Sequence, residues 1–136
     1  VHGDGSAARD FMFADDLCRG IHLVLDADSS TVTGEVFNMA SGTHRSIKSI
    51  AEEILDGLKI DRSQISYIGD RPGQVFRHTG DWSKAHSVLG WSPEVSWEDG
   101  LERTLEWYAG HQDFWKKQLW MRAIPIITES GKVELH

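Results

Sequence analysis

The chain is expected to adopt an α/β fold with few, short strands and about four helices. Three observations predict this. Apolar residues recur at helical spacing in several separate windows. Short β-branched and aromatic runs lie between them, bounded by glycine and serine. The resulting order is β-α-β-α-β-α-α, followed by a tail. At 136 residues the chain has the length of about one domain and can bury a core.

Val1-His2 reads as the end of a strand that drops into the turn Gly3-Asp4-Gly5. Arg9 to Ala14 alternates around Phe11 and Phe13 and predicts a strand. Asp15 then reads as an N-cap, with Leu17, Ile21, Val24 and Leu25 on the stripe of a first helix. Asp15 and Asp16 are read as this cap rather than as a catalytic carboxylate pair. After a polar turn, Gly34 to Ala40 predicts a second strand, closed by Ser41-Gly42.

Ser46 caps a second helix whose stripe is Ile47, Ile50, Ala51, Ile54, Leu55 and Leu58. Gln64 to Ile68 predicts a short strand and Gly69 to Gly73 a loop. Asp81 reads as the cap of a helix from Trp82 to Leu89, stopped by Gly90 and Pro93. Ser96 and Asp99 form a capping box for a last helix through Leu101, Leu105 and Tyr108. The stretch from Gln112 to Arg122 is aromatic and basic, and Ile124 to Ile127 is strand-like.

The formal net charge of −7 argues against nucleic acid as a partner, since phosphate backbones need a basic surface. It leaves room for one small anion in a local positive pocket. Arg9, beside the Gly3–Gly5 turn, and Arg71, in the loop Arg71-Pro72-Gly73, have the chemistry for that role. A guanidinium presents a planar fork matched to phosphate oxygens, and glycine lets a ligand approach the backbone. Gly3-x-Gly5-x-x-Ala8 formally fits a dinucleotide fingerprint, but that motif needs a helix after it and an alternating stretch follows instead.

No histidine pair has metal-ligand spacing with a third ligand nearby, so no metal is expected. Cys18, the single cysteine, reads as a buried structural thiol in a reducing compartment. The six tryptophans read as core and packing surface. No apolar run is long enough to span a membrane, and the reading is cytoplasmic. No catalytic residue is assigned. Tyr67 is followed four residues on by Arg71 and Tyr108 by Gln112, so neither is paired with lysine at that spacing.

Five motifs in series then carry a resemblance. Gly3-Asp4-Gly5-Ser6-Ala7-Ala8-Arg9-Asp10-Phe11 with Asp16 resembles the Gly-x-Gly-x-x-x-Arg-Asp-Phe-x-x-Val-x-Asp segment of extended short-chain dehydrogenase/reductases, the NAD-dependent nucleotide-sugar epimerases and 4,6-dehydratases. Gly34 to Gly42 resembles their Gly-x-x-Tyr/Phe-Asn strand, and Arg71-Pro72-Gly73-Gln74 their Arg-Pro-Gly-Asp loop. Asp81 to Pro93 resembles Asp-x-Ser-Lys-Ala…Leu-Gly-Trp-x-Pro, and Gly100 to Tyr108 the closing helix.

The resemblance implies that the chain is the C-terminal, substrate-binding portion of an extended Rossmann-type enzyme. Residues 1–110 would form the sugar-nucleotide-binding portion and residues 111–136 a tail packing on it. Arg9 and Arg71 would hold the diphosphate of a UDP-, dTDP- or GDP-sugar. Gln74 would face the nucleoside where the family usually has Asp, and Asn38 lies on a strand that joins the edge of the family's sheet. Such a chain would bind no NAD by itself, although the full-length family uses NAD, and would be inactive alone. The alternative is a free-standing interaction module that forms homo-oligomers through apolar surface.

Overall fold

A computed structural model of the chain describes residues 1–70, 73–123, 125–127 and 133–135. It is mixed α/β and divides into two compact units, Val1–Arg103 and Thr104–His136.

The first unit begins with a parallel bridge between His2 and Ile68, flanked by Gly3 N donating to Ile68 O at 3.0 Å and Ile68 N donating to Val1 O at 2.9 Å. Strand β1 is only Ala8–Arg9. It pairs antiparallel with β2, Arg45–Ser46, in the register Ala8 to Ser46 and Arg9 to Arg45. On its other side Ala8 bridges Arg77 in parallel, with Ala8 N donating to Phe76 O at 2.8 Å and His78 N donating to Ala8 O at 3.2 Å. Ala8 is therefore the middle rung of a three-segment patch, and it is buried. The strand expected from Arg9 to Ala14 thus shrinks to its first residue, because from Asp10 onward the side chain rather than the backbone makes the cross-links.

Helix α1, Ala14–Asp26, starts one residue before the expected cap. Its N-cap is Phe13, which has no side-chain oxygen, and Asp15 instead pairs with Arg103 at 2.5 Å. Asp16 and Gly20, four residues apart, define the inward face. Leu17, Ile21 and Leu25 lie about 100° around the helix and are exposed, as is Cys18. The buried-thiol expectation is therefore corrected: one helical stripe faces inward, and residue 18 lies off it.

A short helix α2, Ser29–Val32, is capped by Asp28, whose carboxylate accepts from Ser30 N. Residues 34–40, expected as a strand, form none: Gly34 ends a turn and residues 35–40 form no regular element. A strand needs a ladder partner, and among the described residues none pairs with this segment. Helix α3, Ile47–Leu58, forms as the sequence predicts, with Ser46 Oγ accepting from Ser49 N at 3.0 Å. It closes on Lys59 in the left-handed region at φ 55°. The strand expected over Gln64–Ile68 is a 3₁₀ turn, Arg62–Gln64, capped by Asp61, with only Ile68 bridged.

Helix α4, Ser83–Leu89, follows the Asp81 carboxylate, which accepts from Ser83 N at 2.8 Å, and ends on Gly90 at φ 68°. Helix α5, Trp97–Gly110, starts at Ser96, whose Oγ accepts from Asp99 N at 3.1 Å. The buried apolar centre among the described residues is Ala8, Ala40, Ala85 and Trp91. Trp91 and Trp82 meet edge to face at 6.1 Å.

The second unit holds the end of α5, the short helix α6, Gln112–Trp115, a 3₁₀ stretch, Lys116–Ala123, and a hairpin. The hairpin pairs β3, Pro125–Ile127, antiparallel with β4, Val133–Leu135. Trp107 stacks on His111 at 4.7 Å, and Trp115 Nε1 donates to Tyr108 O at 2.8 Å. Trp91 is thus core as expected, whereas Trp107 and Trp120 are exposed. Among the described residues no helix is long and apolar enough to cross a membrane.

Candidate functional site

A cavity of about 530 Å³ opens between the N-terminal glycine turn and the loop that follows Pro72. One wall is His2, Gly3, Asp4, Ser6 and Ala7, and the facing wall is Asp70, Gly73, Gln74 and Phe76. The first wall is a tight turn. Gly3 and Gly5 have φ of 57° and 75°, a region that costs a residue with a Cβ. Gly5 is also hemmed in: a Cβ there would stand 2.8 Å from Lys48 Cβ and from Val1 Cγ1. Inside the turn Asp4 accepts from Ser6 N at 2.8 Å, and hydrogen bonding to Ser6 holds the Asp4 carboxyl below its usual range. The turn is tied down by Lys48 N donating to Gly5 O at 3.0 Å and Ile47 N donating to Ala7 O at 2.9 Å.

The second wall is held by the Ala8 to Phe76 bond, and Gly73 turns it at φ 74°. The two glycine-bearing turns singled out in the sequence are thus brought face to face, and Gln74 lines the space between them. Arg9 is half-buried on β1, two residues beyond the lining residue Ala7, with Nη1 donating to Ala8 O at 2.7 Å. Arg71 lies outside the described residues. Asn38 is exposed in the irregular 35–40 segment and is not among the described lining residues. Among the described residues no His, Cys, Asp and Glu cluster could hold a metal.

Two carboxylates outside the described lining of the cavity anchor backbone, roles that no local sequence pattern marks. Asp10 accepts from Ser41 N, Ser41 Oγ, Gly42 N and Gly80 N at 2.6–3.1 Å. Asp16 is 2% exposed and accepts from Glu94 N, Val95 N and Arg19 Nη2 at 2.9–3.1 Å. Burial alone would raise both carboxyl pKa values, but the hydrogen bonds outweigh it and both are lowered.

A carboxyl with a lowered folded pKa stabilises the fold above its unfolded value of about 3.9 and loses that contribution as pH falls through the folded value. Thermal melts are therefore expected to give a level midpoint from about pH 7 to 5 and a steep fall below about pH 4. A midpoint that stayed level down to pH 3 would show that neither carboxylate contributes.

The model of the GDP-mannose 4,6 dehydratase family matches residues 1–104. A dTDP-glucose 4,6-dehydratase of Streptomyces niveus is 35% identical over 116 residues, covering 85% of this chain and 34% of the relative. The crystal structure of the dTDP-glucose 4,6-dehydratase DesIV from Streptomyces venezuelae, solved with NAD bound, superposes with a TM-score of 0.79 at 34% identity. That match covers 86% of this chain and 35% of DesIV. The UDP-glucose 4-epimerase of Thermotoga maritima, solved with UDP-glucose, gives 0.72 at 31% identity over 82% of this chain and 35% of the epimerase. The chain spans about a third of the length of these relatives. Matched over residues 1–104 and in its fold, the chain belongs to the GDP-mannose 4,6-dehydratase family, within the NAD-dependent epimerase/dehydratases of the extended short-chain dehydrogenase/reductase type.

Proposed function

We propose that residues 1–110 are the portion of a sugar-nucleotide dehydratase or epimerase that holds a nucleoside-diphosphate sugar, with residues 111–136 as its tail. The observation that carries the reading is the cavity between the Gly3–Ala7 turn and the Gly73–Phe76 wall, flanked in sequence by Arg9 and Arg71. In this reading the two arginines grip the diphosphate and Gln74 hydrogen-bonds the nucleoside, with Asn38 as a further nucleoside contact. Gln74 offers an amide without charge, so it binds a hydroxyl without demanding a particular base.

The chain alone holds its ligand without turning it over. NAD supplies hydride chemistry when bound, but the described residues do not fit it. Gly3-x-Gly5-x-x-Ala8 runs into β1 and not directly into a helix, so no helix N-terminus adjoins the glycine turn to meet a pyrophosphate. Neither Tyr67 nor Tyr108 has a lysine four residues on.

Titration of UDP-, dTDP- and GDP-glucose into the chain by calorimetry is expected to show binding of at least one. Arg9→Ala and Arg71→Ala should each weaken it roughly 10- to 100-fold, since hydrogen bonds to charged groups contribute about 1.5–3 kcal/mol. Binding that neither substitution changes would remove the arginines from the site.

A second reading, self-association, is favoured by the exposed stripe Leu17, Ile21 and Leu25 on α1. Sedimentation of a concentrated sample is expected to give dimers on this reading, and a clean monomer would end it.

A further inference from the structure

We infer that Asp10 is a positioning residue for the cavity: its carboxylate fixes the segment that carries the Gly73–Phe76 wall against the strand that carries Arg9. The inference rests on the ligand reading above for its functional consequence, but its geometry stands without it. Asp10 Oδ1 accepts from Ser41 N at 2.9 Å and from Ser41 Oγ at 2.6 Å. Its Oδ2 accepts from Gly42 N at 3.1 Å and from Gly80 N at 3.0 Å. One side chain therefore gathers two loops that are remote in sequence.

The Gly80 bond matters most for the cavity. Residues 76–80 run along residues 8–10 on three successive ties. Ala8 N donates to Phe76 O, His78 N donates to Ala8 O, and Gly80 N donates to Asp10. Only the last tie depends on a side chain. At that point the segment is also pressed against its neighbour, since a Cβ on Gly80 would stand 2.3 Å from Ala40 Cβ. Ala40 directly precedes Ser41 and Gly42, the other residues held by Asp10. The carboxylate thus locks both loops at one place, four residues beyond the lining residue Phe76.

An ionised carboxylate suits this job because both oxygens only accept. An asparagine of the same shape has one accepting oxygen, and its NH₂ would face donors. Asp10→Asn therefore keeps the volume and removes up to half the ties. It also removes a negative charge close to a site read as anion-binding. By Coulomb's law alone that change should tighten an anion, so weakening would report lost positioning.

The experiment is titration of UDP into the wild-type chain, Asp10→Asn and Asp16→Asn, with amide exchange and thermal midpoints measured on each. Asp16→Asn is the control for general destabilisation. Asp10→Asn is expected to bind UDP at least about fivefold more weakly, with faster exchange at the Ala8 and His78 amides. Asp16→Asn is expected to lower the midpoint while the folded chain keeps its affinity. Ser41→Ala, which removes one of the four donors, should move both readouts the same way by less, and it replaces Asp10→Asn if that variant does not fold. Wild-type affinity in Asp10→Asn, or a loss no larger than in Asp16→Asn, overturns the inference. If the wild-type chain binds no UDP, dTDP or GDP, the ligand reading fails separately. The exchange data then decide, and unchanged Ala8 and His78 amides overturn the positioning role.

Discussion

Asp16→Ala is expected to cost about 3–5 kcal/mol, the usual effect of removing one partner from a buried charged network. The site has no slack. Asp16 is 2% exposed, and its two oxygens accept from Glu94 N, Val95 N and Arg19 Nη2. Alanine would leave the Glu94 and Val95 amides without their acceptor and deprive Arg19 of a partner. Arg19 retains Glu94 at 3.2 Å and the Ser92 carbonyl, so the damage centres on the backbone of residues 94–95. That backbone leads into α5, so the start of the helix should loosen first. Asp16→Asn keeps one acceptor and should cost less, about 1–3 kcal/mol. Urea unfolding measures both, and the midpoint should fall with little change in slope. A loss under about 1 kcal/mol for the alanine variant would mean that water reaches those amides and replaces the carboxylate.

Trp91→Ala is expected to cost about 3–5 kcal/mol as well, by a different route. Trp91 is fully buried, and its ring meets Trp82 edge to face. A Cβ on Gly20 would stand 3.0 Å from Trp91 Nε1 and 1.8 Å from Met39 Sδ, so helix α1 comes this close only because residue 20 is glycine. Removing the indole opens a cavity under that helix. It also deletes the bond from Nε1 to Asp16 O at 2.9 Å. Trp91→Phe keeps most of the ring and loses the bond, so it should cost about 1–3 kcal/mol. Asp16 and Trp91 share one network, so the double variant should cost less than the sum of the singles. Full additivity, read from the same urea curves, would show two independent supports.

The helices were largely legible because their signals are local. Ser46 with the stripe through Leu58 marks α3, and Ser96 with Asp99 marks α5, within a few residues of each end. The strands were not. Whether a β run becomes a strand depends on a partner far along the chain, and β1 finds Arg45 and Ser46 for only two residues. Gly34 to Ala40 has the composition of a strand but no described partner. Asp16 was misread for the same reason. An acid at a helix start suggests a cap, but its partners lie at residues 94 and 95.

The site was legible in part. The turns at Gly3–Gly5 and Gly73 announce themselves by glycine, and the motif series named the family to which the chain belongs. That the two turns face each other follows from the bonds between Ala8 and residues 76–78, which no local pattern encodes. The role of Asp10, beside Arg9, is likewise set by loops that fold against it from Ser41 and Gly80.

In the proposed function, the cavity between these turns receives a nucleoside diphosphate. The most direct measurement is amide shift mapping of the ¹⁵N-labelled chain as UDP, dTDP or GDP is added. Saturable shifts at Gly3, Gly5, Ser6, Gly73 and Gln74, with the amides of α6 unmoved, are the result expected. Shifts confined to α6 and the aromatic residues around it, or none with any of the three nucleotides, would contradict the claim.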